Sequence, residues 1–144
     1  MTWGGFCTGK KLDLQFITTR ETSSSYIQTL QTTIVPFFRN RLRSHVFQQD
    51  NASIHTNRAT MAFLTSQRIK VLEWPACSPD LNPIKNLWGI MARRVYKNCT
   101  QYISIQDLKV ALQAEWNKIT DAELKNLVAS MSNRMFESEL NKAL

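Results

Sequence analysis

No apolar run in this sequence is long enough to span a bilayer, and no basic-then-apolar leader opens it, so a soluble intracellular protein with no membrane partner is expected. Repeats, low-complexity tracts, linkers and glycine-rich phosphate loops are also missing. Cysteine is scarce and odd in number. Cys7, Cys77 and Cys99 show no CxxC spacing, which speaks against a disulfide framework or a zinc ribbon. They read as buried or idle thiols in a reducing compartment. Acid is in short supply too: eleven Asp and Glu face eighteen Lys and Arg, a formal charge of +7. That excess favours a polyanionic partner, nucleic acid first, although a basic surface alone does not establish DNA binding.

What is present centres on Val46 to Lys97. At one end, VFQQDNASIHT reads as a strand that delivers Asp50 to its C-terminal tip, followed by Asn51. At the other, Asn82-Pro83 opens a helix, because Asn is a preferred N-cap and Pro a preferred first helical residue. Ile84, Leu87, Trp88, Met91 and Val95 recur on one face of it. Strand tip and helix start are expected to meet. The third helical position, where a capping box wants Glu or Gln, holds Lys85. A cation there opposes the helix dipole, at ~0.3–1 kcal/mol if exposed. Its plainest reading is a lysine swung into water.

The strings QQDNASIHT and WPACSPDLNPIKNLW resemble the catalytic domain of mariner-superfamily transposases, especially the Tc-like branch, whose hallmark strings are QQDNAPxHT and WPAxSPDLNPIENLW. The opening MTWGGF is similar to that family's VWGGF strand, and the LxxSMxxRM pattern from Leu127 to Met135 resembles its tail helix. The resemblance covers nearly the whole chain. It implies a single, partial catalytic domain over 1–144 with an α/β, ribonuclease H-like mixed sheet flanked by helices, lacking the first, central strand and ending in a helical tail. It also implies three carboxylates on two divalent ions, Mg²⁺ or Mn²⁺, DNA as partner and a nuclear location.

Two departures limit what carries over. Asp50 matches the family's second carboxylate and the expected metal ligand. Lys85, with 34 residues between it and Asp50, stands where the family has glutamate. The first carboxylate belongs to a strand upstream of WGGF, and no residue here can be assigned to it. Two-metal phosphoryl transfer holds its ions roughly 3.5–4 Å apart. A lysine has no lone pair for such an ion, and at ~4 Å with an effective dielectric of ~20 it repels +2 by ~8 kcal/mol, less if it swings aside. Strand cleavage is therefore not expected, and a degenerate domain with non-specific nucleic-acid affinity is. The alternative is a non-catalytic protein-interaction scaffold or a remnant. Loss of the central strand would leave unpaired sheet edges, inviting homo-oligomers and low monomer stability.

Elsewhere, Trp3–Cys7 and the alternating Leu12, Leu14 and Phe16 predict a hairpin around Thr8-Gly9-Lys10. Thr22 to Ser25 offers N-caps for a helix carrying Tyr26 or Ile27, Leu30 and Ile34, which Pro36 should kink or restart. Arg39, Arg41 and Arg43 suit that helix's negative end or contact phosphate. His55 is either hydrogen-bonded in place or reaches a phosphate or the metal shell. Thr56 can cap a helix through about Ser66 that buries Ala59, Ala62 and Phe63, followed by a short strand from Ile69 to Leu72. Asp80 suits a turn or cap, with a stand-in ligand as the remoter reading, and Glu73 a surface charge. Arg93, Arg94 and Lys97 form either a solvated face or a phosphate-tracking, DNA-binding patch. Ser104-x-x-Asp107 and Thr120-x-x-Glu123 read as capping boxes. They open helices lined by Ile105, Leu108, Leu112, Trp116 and Ile119, then by Leu124, Leu127, Val128 and Met131.

Overall fold

The hairpin forms, but broken into two short ladders. β1 (Thr2–Trp3) pairs antiparallel with β4 (Gln15–Phe16), and β2 (Phe6–Cys7) with β3 (Lys10–Lys11). Trp3 faces Gln15 while Phe6 faces Lys11, so the two residues between on the first strand oppose three on the second. The extra residue is a bulge. It leaves Asp13 exposed and turns Leu14 inward to 7% exposure. Gly4 lies opposite, where a Cβ would stand 3.0 Å from both Leu14 and Trp88 and 3.2 Å from Trp116. Gly9 turns the hairpin at φ 83°.

The computed structural model describes residues 2–17, 20–39, 45–50, 52–73 and 79–143. They fall into two compact units, Ile17–Ser78 and the pair Thr2–Phe16 with Pro79–Leu144. Arg41, Arg43, Asn51, Trp74 and Cys77, although notable in the sequence, lie outside the described residues. Among the described residues no helix is long and apolar enough to cross a membrane.

The first unit is built on α1 (Ser23–Arg39). Thr22 caps it reciprocally with Ser25: the Thr22 N–H donates to Ser25 Oγ at 2.8 Å and the Ser25 N–H to Thr22 Oγ1 at 3.2 Å. Pro36 does not restart the helix, which continues to Arg39. Only the last turn depends on the missing N–H, and the buried stripe Tyr26, Leu30 and Ile34 anchors the turns before it. The strand toward Asp50 and the one from Ile69 meet in a single parallel bridge, Phe47 to Val71. Its bonds run from Phe47 N to Lys70 O and from Leu72 N to Phe47 O, both 2.8 Å.

Between them lie α2 (Ser53–Thr56) and α3 (Arg58–Ser66). Thr56 ends one helix rather than capping the next. Asn57 caps α3, accepting from the Thr60 N–H at 2.9 Å. The buried stripe is also displaced: Thr60 and Leu64 are sealed, while Ala59 and Ala62 are exposed and Phe63 is half-buried. A threonine is tolerated there because its hydroxyl donates to the Ile54 carbonyl at 2.6 Å. The helix closes in a Schellman motif, with Ile69 N bonded to Leu64 O and Arg68 N to Thr65 O, both 3.0 Å. Arg68 therefore sits at φ 58°, where glycine is usual.

The second unit packs the hairpin on α4 (Pro83–Val95), α5 (Ile105–Lys118) and α6 (Asp121–Ala129), with α7 (Met131–Ala143) after them in the chain. Leu14, Leu87, Met91, Trp116, Ile119, Leu124 and Leu127 form its core, with Ile84, Trp88 and Leu112 against it. Trp88 and Trp116 stack at 5.8 Å. The Trp116 indole donates to the Leu12 carbonyl at 3.0 Å, and Lys11 Nζ donates to the Trp116 and Ile119 carbonyls at 2.5 and 2.7 Å, capping the end of α5. Burial pulls the Lys11 ammonium below the usual lysine range. Ser104 caps α5 and a complete box from Thr120 and Glu123 caps α6. The expected α5 stripe fails at its start, where Ile105 is 74% exposed, and Val128 on α6 also faces outward. Cys7 is half-buried and Cys99 exposed, both free thiols.

Candidate functional site

In the first unit Asp50 lies just beyond the bridge residue Phe47, and a buried side-chain network fixes the loop around it. Gln49, 7% exposed, accepts from the Tyr26 hydroxyl at 2.6 Å and donates to the His55 carbonyl at 2.9 Å. The His55 ring lies on Tyr26, centroids 4.2 Å apart. Its Nδ1 is hydrogen-bonded to Asp50 Oδ1, and the same oxygen accepts from the Ala52 N–H at 3.1 Å. Asp50 stays partly open, its side chain 39% exposed against 15% for His55. Burial, helped by Asp50 and Glu21, drives the Tyr26 phenol far above its usual range, so it acts here as a neutral donor.

Glu21 belongs to this neighbourhood although no motif or periodicity marks it. Its Oε1 is buried with no hydrogen-bond partner among the described residues, and burial raises its carboxyl above the usual range. Gln49 and Tyr26 were equally hard to single out, since one stands inside a motif and the other inside a helical stripe.

In the second unit, Asn82 is the N-cap of α4, accepting from the Ile84 N–H at 3.4 Å, and Pro83 is the first helical residue. Asn82 is 5% exposed, so the cap is fixed by burial. Lys85 is exposed on the first turn with no ion pair among the described residues. Asp80 is exposed in a 3-10 turn, Pro79–Leu81, and Arg134 from α7 donates to its carbonyl at 3.4 Å and to Asn86 Oδ1 at 2.9 Å. Of the cations at the far end of α4, Arg93 and Lys97 are exposed, whereas Arg94 turns toward α6 and pairs with Glu123. The Thr120 N–H, and then Arg94, hold the Glu123 carboxyl below its usual range.

A divalent-ion pair needs several hard oxygen donors. Among the described residues no three His, Cys, Asp or Glu side chains are grouped so as to hold a metal. Asp50 already gives one oxygen to His55 and Ala52. Among the described residues the donor set thus does not fit a two-metal centre.

Comparison with known proteins places this architecture. A family model described as DDE superfamily endonuclease matches residues 2–109. The chain is 41% identical over 138 residues to the transposable element Tc3 transposase of Caenorhabditis elegans, covering 95% of this chain and 42% of that protein. It is 34% identical to the Tcb1 transposase of Caenorhabditis briggsae, covering 93% and 49%. The chain therefore spans about half the length of these relatives. In fold it is similar to the Mos1 transposase catalytic domain solved with raltegravir and Mn, with a TM-score of 0.72 at 22% identity over 93% of this chain and 76% of that one. A structure of that domain with Mg matches equally, at 23% identity. The chain belongs to the DDE superfamily of endonucleases, in the mariner and Tc transposase branch, and has the ribonuclease H-like fold of their catalytic domain.

Proposed function

We propose that this polypeptide is a transposase catalytic scaffold that retains affinity for duplex DNA and lacks strand cleavage. The observation that carries the reading is Lys85, an exposed cation without an acidic partner at the start of α4, where the resemblance puts a metal-binding glutamate. In the family, divalent ions supply the activation of the attacking oxygen and stabilisation of the leaving one. Lys85 opposes an ion on α4 whatever other carboxylates contribute, because an ammonium repels the cation and donates no electron pair. The charge of +7 supports retained attraction to a polyanion. The test has two arms. Supercoiled plasmid with Mg²⁺ or Mn²⁺ should stay intact, and a random duplex should bind with an affinity that falls steeply with salt. Nicking that depends on Asp50 would overturn the second half of this reading, the absence of cleavage.

A second reading, a protein-interaction scaffold, has its own support. Ile103, Ile105 and Val110 beside or on α5, and Met135 and Phe136 on α7, are 56–99% exposed. Absence of duplex binding at low salt would favour it over the first.

A further inference from the structure

From the α4 surface we infer that Lys85, Arg93 and Lys97 form one continuous phosphate-binding ridge, so that the residue standing at the glutamate position has become a DNA contact. The inference rests on the proposed DNA-binding function and says where on the chain the duplex lies.

The burial of Leu87, Met91 and Val95 fixes which way α4 faces. At 3.6 residues per turn the opposite, outward side carries Lys85, Asn86, Gly89, Ala92, Arg93 and Tyr96, and Lys97 comes next in the 3-10 turn just past the helix end. Lys85, Arg93 and Lys97 are all exposed, and among the described residues none of them has an ion pair. Two other cations of this unit are neutralised, Arg94 by Glu123 and Lys118 by Glu115. No acidic residue lies in the sequence between Asp80 and Asp107. At the N-terminal end Arg134 adds a further guanidinium beside Asn86, bonded to an amide and a carbonyl rather than to a carboxylate.

The middle of the ridge is low. Gly89 and Ala92 carry little or no side chain, and a Cβ built on Gly89 meets nothing within 4 Å except Arg93 Nη1 at 3.7 Å. The Arg93 head group therefore lies back over the glycine, toward Lys85. About 12 Å separates Lys85 from Arg93 along the axis, at 1.5 Å per residue, roughly two steps of a nucleic-acid backbone. Tyr96, 52% exposed, places an aromatic donor on the same side. A lysine in the first turn opposes the helix dipole, and like charges sharing a face repel. An arrangement unfavourable to the free helix becomes favourable against a row of phosphates.

The test measures anisotropy of a labelled random duplex against the whole chain over a range of salt. Each phosphate contact contributes about 0.9 to the slope of log K against log salt, so Lys85→Ala, Arg93→Ala and Lys97→Ala together should reduce its magnitude by about 2.7. Lys125→Ala, an equal loss of charge at an exposed site on α6, should leave the slope unchanged. Gly89→Glu puts an acid into open space on the ridge. It should weaken binding at least tenfold while the melting temperature holds or rises, since replacing a helical glycine favours the helix. If the wild-type chain binds and the triple variant keeps its slope, or Lys125→Ala loses as much per charge, the ridge is wrong and the DNA reading stands. If the wild-type chain does not bind at low salt, both fall.

Discussion

The Nδ1 of His55 is hydrogen-bonded to Asp50 Oδ1, and the imidazole that makes this contact is itself laid against Tyr26. The carboxylate that the resemblance marks as a metal ligand is thus tied into the fold of its own unit. In a site built only to hold cations, acids repel one another and removing one relieves the apoprotein. Here Asp50 is an acceptor for two donors of the same loop.

Replacing Asp50 with Ala should therefore destabilise the chain, by about 1–3 kcal/mol, because the Ala52 N–H and His55 Nδ1 lose their acceptor. Urea unfolding followed by tryptophan fluorescence measures it. Addition of Mg²⁺ or Mn²⁺ should leave the wild-type midpoint unmoved, since a bound ligand would raise it by mass action. A stabilised Asp50→Ala variant, or a metal-dependent midpoint, would contradict this structural role for Asp50.

Lys85→Glu puts at the start of α4 the residue that the resemblance expects there. It should not restore cleavage, because Asp50 already gives its oxygen to His55 and the Ala52 N–H, and the resemblance assigns no residue here to a third carboxylate. Plasmid incubated with the variant and Mn²⁺ should remain supercoiled, and duplex binding should weaken. A nicked product would show that one substitution alone had silenced the site.

Glu123 makes stability depend on acid pH. Its folded carboxyl is held below the ordinary 4.5 by the Thr120 N–H and then by Arg94. For a depressed carboxyl the unfolded chain binds the proton more readily, so the contribution is present above 4.5 and is lost as pH falls through the lower, folded value. Glu123→Gln should be less stable than wild type at neutral pH and should show a shallower loss over that acid window. Thermal melts at successively lower pH, starting from neutral, would show the two curves converging.

Arg68 offers a gain. It holds the left-handed position of the Schellman motif that ends α3, at φ 58°, a conformation costing a side chain about 1–2 kcal/mol. Arg68→Gly removes that strain and adds some unfolded-chain entropy, for a net stabilisation of about 0.5–1 kcal/mol. An unchanged or lower unfolding midpoint would mean that the arginine stem contributes packing of equal size.

The sequence by itself determined the start and inward face of α4, the caps at Ser104 and Thr120, and the N-terminal hairpin. Each depends on residues within one or two turns of each other, so local chemistry suffices. The family, too, was legible in the two strings around Asp50 and Lys85. Only the tertiary structure decided that Thr60 and Leu64, not Ala59 and Ala62, face inward, because the Thr60 hydroxyl finds a carbonyl six residues away. Only it decided that Pro36 leaves α1 running, that Ile105 faces outward, and that Arg94 is taken by Glu123 while Arg93 is not. The environment of Asp50 was equally beyond sequence reading. Tyr26 reaches Gln49 and His55 there from α1, a separate part of the chain, and burial makes the Tyr26–Gln49 and Gln49–His55 hydrogen bonds matter.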